Sequence, residues 1–251
     1  MRSSGVAVSS AGASALYRYR ALAAEHRWER RAVRAVLACG AGVVAVGVTV
    51  WWAGILVAVL FFVAHAVYVR YRPAPVSNWR RGALAERRTG RRLSRLDPAG
   101  FHVLHDRAFS DDPAPATNLD HLVVGLSGIY AIASRRLRWG AQLHAEQNRL
   151  LAGARPVTGV SAAAARAAET VAELLSEELD QDVQVTPMVV VHGARVARDG
   201  VRHGRVLFHA ARSIPRAIVG EPVIYTSAQV AALAAAAERR LPSMMETLLS
   251  E

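Results

Sequence analysis

Residues 33–69 read VRAVLACGAGVVAVGVTVWWAGILVAVLFFVAHAVYV, an apolar run interrupted only by Arg34, Thr49 and His65. A single membrane span takes roughly 20 residues, so this run is too long for one comfortable helix and just long enough for two short ones. Trp51-Trp52 followed by Gly54 supplies an interfacial aromatic pair and a turn near its middle. The run is therefore expected to form a helical hairpin over roughly 33–49 and 53–70, one long tilted helix being the alternative. Gly40, Ala41, Gly42 and Gly47 would let the two helices approach closely. A cleaved signal peptide does not fit, because the run begins only after roughly 30 mostly polar residues and is too long for an h-region.

Charge follows the same division. All 31 basic residues are arginine, and the formal net charge is +11. The excess sits in residues 1–34 and 70–95, the two flanks of the apolar run, whereas 96–138 and 139–251 are each close to neutral. A nucleic-acid-binding protein would spread arginine over its folded domain. Arginine beside both ends of an apolar segment instead follows the positive-inside rule and implies an even number of crossings, with both ends cytoplasmic. Residues 15–34 read as a basic helix at the membrane surface, with a nucleic-acid-binding arm as the rival. Without lysine, no step that requires a lysine ammonium is open to this chain. Cys39 is the only cysteine, so neither an internal disulfide nor a thiolate metal site can form.

Beyond Pro73 and Pro75 the pattern becomes that of an α/β domain. A helix is expected over 79–96, with Leu84, Leu93 and Leu96 on its apolar side. Strands follow at 101–106, 118–125 and 128–135, the last two joined by the turn Gly125-Leu126-Ser127-Gly128, after a proline-rich loop at 110–118. Residues 161–179 read as a helix, 183–193 and 205–208 as strands, and 227–241 as a final helix. The expected architecture is a mixed sheet flanked by helices, preceded by the transmembrane hairpin. The expected divisions are a basic N-terminal segment (1–32), the hairpin (33–70), a linker (71–78), the α/β domain (79–241) and a tail (242–251), with the first dozen residues disordered.

Four motifs lie on these elements: Gly82-Ala83-x-x-Glu86 on the first helix, Val103-Leu104-His105-Asp106 on a strand, Asn118-Leu119-Asp120-His121-Leu122 on the next, and Val124-Gly125-x-Ser127-Gly128-Ile129-Tyr130 running into the third. Together with the order of the elements they resemble a NERD domain, the nuclease-related domain of the PD-(D/E)XK or restriction-endonuclease-like superfamily, over roughly 79–195. The combination with basic flanks and a membrane hairpin is similar to actinobacterial membrane proteins. The resemblance implies Mg²⁺-dependent phosphodiester hydrolysis, with Glu86 and Asp120 as metal ligands. It also implies an acid and a lysine two residues apart on the third strand, where that spacing aims both at one face.

Those two positions are Ala133 and Arg135, on either side of Ser134. The acid is missing, and a guanidinium stays protonated and cannot serve as a base, although Arg135 can still contact a phosphate. Leu126 also stands where the family has proline. Three readings stay open: a degenerate site kept for binding or assembly, a rearranged active nuclease using Asp106 or Glu146 as the missing acid, or acids with only structural roles. His102 and His105 are three apart on a strand and face opposite ways. His192, His203 and His209 belong to later strands and loops without a carboxylate partner, so hydrogen-bonded or surface roles are expected of them. Ser127 lacks the last glycine and the following helix of a nucleophile elbow, and no Walker-type phosphate loop occurs. The expected setting is the cell membrane, with two spans, a cytoplasmic domain, the bilayer and a nucleic acid or protein as partners, Mg²⁺ only if the site is active, and no small-molecule cofactor.

Overall fold

A computed structural model of the chain describes residues 10–25, 27–48, 50–71, 75–109 and 118–249. The proline-rich loop at 110–117, the first nine residues and residues 72–74 of the expected linker lie outside this set. The chain divides into two compact units, one of residues 15–81 and one of residues 1–14 with 82–251.

The smaller unit is helical. It holds α1 (Ala13–Glu25) from Ala15 onward, α2 (Arg27–Val48), α3 (Trp51–Tyr71) and the start of α4 (Pro75–Leu93). α2 and α3 are joined by a short break and pack on each other. Where they cross, a Cβ on Gly42 would lie 3.0 Å from the Ala58 Cβ, and one on Gly54 would lie 2.8 Å from the Gly42 carbonyl. Gly40 and Gly47 have open space beside them, so they take no part in that approach.

Among the described residues one helical segment, Trp51–Tyr68, is long and apolar enough to cross a membrane. Its 18 residues span about 27 Å. α2 falls short because arginines and Glu29 fill its first turns; the uncharged stretch 35–48 spans only about 21 Å. Val43, Val44, Trp51, Trp52, Ile55 and Leu60 are all exposed by more than half.

The larger unit is built on a six-stranded mixed sheet of order β1-β2-β3-β7-β9-β8. Its strands are β1 (Phe101–Ala108), β2 (Asn118–Gly125), β3 (Gly128–Arg136), β7 (Val185–His192), β8 (Val201–His203) and β9 (Val206–Ala210). The pairs β1–β2, β2–β3 and β8–β9 are antiparallel, whereas β3–β7 and β7–β9 are parallel. Between β3 and β7 lie a small sheet, β4 (Leu143–Glu146), β5 (Arg149–Ala152) and β6 (Arg155–Pro156), and the crossover helix α5 (Val160–Leu179). The chain ends in α6 (Ile214–Val219), α7 (Ser227–Arg240) and α8 (Met244–Leu249).

Apolar residues of α5 and α7 cover one face of the sheet, with Val171, Leu175, Leu233 and Leu241 packed on Leu122, Val124 and Ile129. Leu93, Leu96, Ile214 and Ile218 cover Val123, Tyr130, Ile132 and Met188 on the other face. Both faces of β2 and β3 are thus buried, as their near-continuous apolar runs require. Helix α4 begins at Pro75, four residues earlier than expected, because proline fits a first helical turn. Leu84, expected on its apolar side, is 37% exposed; Ala83, Ala85 and Thr89 are buried instead. Leu126 at the β2–β3 turn donates its backbone N–H to the Gly100 carbonyl, a bond that proline could not make.

Candidate functional site

Strand pairing opens where the acids lie. The β2–β3 ladder ends at His121–Ile132. Just beyond it, the Ser134 backbone N–H donates to Asp120 Oδ2 at 2.6 Å, so a side chain completes what the ladder leaves open. The same Oδ2 lies 3.5 Å from Arg135 Nη1, which also donates to the Ser134 carbonyl at 3.0 Å. Asp120 is 7% exposed, whereas the Arg135 side chain is 45% exposed. Burial pushes the Asp120 carboxyl up from its ordinary range, while Arg135 and the Ser134 N–H hold it down.

Asp106 lies between the ladder pairs His105–His121 and Arg107–Leu119, opposite Asp120. It is buried and has φ +52°, an unusual left-handed conformation inside a strand. Both of its carboxylate oxygens are taken by Ser14, the backbone N–H at 2.8 Å and Oγ at 2.6 Å. The turn before Ser14 lies on α4: Gly12 has φ +69°, and a Cβ there would fall 2.8 Å from the Ala83 carbonyl and 3.2 Å from Glu86 Oε2. Only glycine fits so close a passage.

Glu86 comes from α4 and is 8% exposed. Its carboxyl is pushed up to about 8, first by burial and then by Asp120 and Asp106, with Arg135 opposing. Glu86 is therefore largely protonated near neutral pH. The structure thus brings Glu86, Asp120 and Arg135 into one electrostatic cluster and adds Asp106. Glu146, the other acid considered, lies on β4 with its side chain 66% exposed, 3.9 Å from His144. Ala133 faces the apolar cluster of Val189, Val191 and Phe208.

Behind the acids runs a polar chain that the sequence did not disclose. Ser134 Oγ donates to Thr89 Oγ1 at 2.8 Å, and Thr89 Oγ1 pairs with His192 Nε2 at 2.9 Å. His121, fully buried, pairs through Nδ1 with His105 Nδ1 at 2.8 Å. One ring of such a pair donates and the other accepts, so the two cannot both be protonated. Burial depresses both, and neighbouring groups add to it, Arg107 for His105 and the His105 and His192 rings for His121. His192 is pushed down to about 4 by burial and by Arg88 and Arg136. His203 is hydrogen-bonded to Ser161 and Asn148. Ser127 Oγ donates to the Ile218 carbonyl at 2.7 Å, a structural role.

A divalent cation needs ionised oxygens turned to one point. Here Asp106 is held by Ser14, Asp120 by Ser134 and Arg135, and burial pushes the Glu86 carboxyl up. Among the described residues no three His, Cys, Asp or Glu side chains are grouped to hold a metal. In this arrangement the residues do not fit the cation that the resemblance implies.

No curated protein and no solved structure gives a match to the chain. Residues 81–192 do match the family model of the nuclease-related domain, and the matched stretch runs from the start of the Glu86 motif to the end of β7. Over residues 81–192 this chain is thus similar to the nuclease-related (NERD) domain family.

Proposed function

We propose that the chain is a membrane-anchored nuclease-related domain whose site has lost cleavage chemistry and serves binding or assembly at the cytoplasmic face of the membrane. The observation that carries this reading is the state of Asp120: one oxygen already receives Ser134 N–H and faces the Arg135 guanidinium. The sequence around it agrees, since Ala133 offers no oxygen and Arg135 no removable proton. Glu86 and Asp120 are then vestigial ligands, and Arg135 a residual phosphate contact. The anchor is read as two spans, α2 and α3, with both arginine-rich flanks cytoplasmic. In support, the helices are closely paired at Gly42 and Gly54 and expose apolar residues such as Val43, Val44, Ile55 and Leu60. The functional divisions are the basic segment 1–32, the hairpin 33–70, a linker 71–78, the domain 79–241 and the tail. The partner is a protein or a nucleic acid.

Asp106 favours a second reading, a rearranged Mg²⁺-dependent nuclease. It acts electrostatically on both Glu86 and Asp120, and would complete a carboxylate set once Ser14 withdrew. The test uses the full chain in neutral detergent with Mg²⁺ or Mn²⁺, on plasmid and single-stranded DNA, beside the Ala133→Glu/Arg135→Lys double variant. An inert parent is expected. Cleavage by the parent that disappears in both Asp120→Ala and Asp106→Asn would establish the rearranged nuclease instead.

A further inference from the structure

The second half of the chain, close to neutral as a sequence, separates its charges in space. Arg205, Arg239 and Arg240 pair with Glu169, Glu178 and Glu177, acids of α5. Four other arginines of this half, joined by Arg95 from the basic flank, line a cavity of about 1110 Å³ on β8, β9 and α6. Arg95 follows α4, Arg198 lies in the turn before β8, Arg202 is on β8, and Arg212 and Arg216 flank or occupy α6. Among the described residues none of the five forms an ion pair with a carboxylate. Asp199 and Glu221 are the acids of the lining, so the cavity keeps a formal excess of three positive charges.

The setting is built as well as charged. The turn 197–200 is closed by Gly200 N–H donating to the Ala197 carbonyl at 3.0 Å. It lies so close on β9 that a Cβ at Gly200, where φ is +84°, would meet the His209 ring at 2.6 Å and the Phe208 carbonyl at 2.9 Å. His209 is 7% exposed, lines the cavity, and leaves its Nδ1 without a hydrogen-bond partner. Buried polar atoms rarely stay unpaired without a reason. Like charges gathered by four separate segments repel one another unless an anion joins them.

From this geometry we infer a second, anion-binding site, the Arg95/Arg198/Arg202/Arg212/Arg216 cavity, which takes a ligand carrying two or more adjacent phosphate groups. Guanidinium forks suit phosphate oxygens bidentately, and several forks suit several phosphates. The lining contains no Phe, Tyr or Trp and gathers its positive charge on guanidinium groups, so the phosphate chain is the recognised part. An inorganic oligophosphate and the tail of a nucleoside polyphosphate share that chemistry. Except for Arg95, every lining residue lies beyond residue 192, outside the matched domain, and the inference does not depend on the fate of the carboxylate site.

The test is calorimetric titration of the full chain in neutral detergent, with EDTA and about 0.1 M salt, using inorganic triphosphate, ATP and orthophosphate as probes. Triphosphate is expected to bind with a dissociation constant below about 1 mM and more tightly than orthophosphate. The Arg198→Ala/Arg212→Ala variant, altered at two exposed positions, should lose about tenfold per arginine, and Arg239→Ala should bind like the parent. Binding of ATP no tighter than that of triphosphate supports the inference and assigns recognition to the phosphate chain, whereas clearly tighter binding of ATP would overturn that assignment. The inference is overturned if the parent binds no triphosphate, if the double variant binds as the parent does, or if Arg239→Ala loses as much. Binding of a single-stranded oligonucleotide without triphosphate binding would also overturn it.

Discussion

Replacing Glu86 by glutamine should change how the stability of the fold depends on pH. The carboxyl, ordinarily near 4.5, titrates at about 8 in the folded chain. Between these values the folded protein keeps a proton that the unfolded chain releases, so stability falls as pH rises through that window and levels off above it. At about 1.36 kcal/mol per unit, the whole window corresponds to a ceiling of about 4–5 kcal/mol. The glutamine amide is a near-isostere of the protonated acid and has nothing to ionise. The Glu86→Gln change also removes the charge that Asp120 would face at high pH. Parent and variant should therefore unfold alike near pH 5, and the variant should be the more stable by several kcal/mol at pH 9. Urea unfolding of the full chain in neutral detergent, followed by circular dichroism across pH 5–9, reads this directly. If the two profiles run parallel over that range, the buried carboxylate cluster is not as described.

Two further substitutions probe the surroundings. Ser14→Ala removes an O–H donor from a buried carboxylate but leaves the backbone bond, and should cost about 1.5–3 kcal/mol. The weakened segment should also show faster amide exchange at residues 10–20. Thr89→Val keeps the shape but strips partners from Ser134 and His192. A loss of about 1–3 kcal/mol is expected, with Thr89→Ser recovering most of it.

The central strands were legible because period-two and continuous apolar patterns are properties of the strand itself: 118–125 and 128–136 form the pair that the turn predicts. α5 and α7 were equally plain from their alanine- and leucine-rich runs. The small sheet escaped notice because its strands have four, four and two residues, too few for a pattern. Its tight turn depends on positive φ at Gln147 and Asn148. β8, α6 and α8 were missed for the same reason of length.

At the site, the placement of Glu86, Asp120 and Arg135 could be read by resemblance to a family. Their condition could not. Asp106 meets Ser14 across 92 positions, and Thr89 meets His192 across 103, contacts that no local pattern encodes. His121 stood beside Asp120 in a quoted motif, yet only the fold makes it a buried partner of His105. The near-neutral sum over residues 139–251 likewise concealed an arginine-lined cavity, because addition along a chain ignores which face each charge occupies.

The claim most in need of a direct test is that the carboxylates, as arranged, do not hold a metal. Electron paramagnetic resonance of Mn²⁺ added to the full chain in neutral detergent at pH 7.5 measures this without requiring turnover. The signal of free Mn²⁺ should be undiminished by the parent up to about millimolar metal, the range of weak sites. Loss of one equivalent of that signal in the parent, restored by Asp120→Ala, would contradict the account.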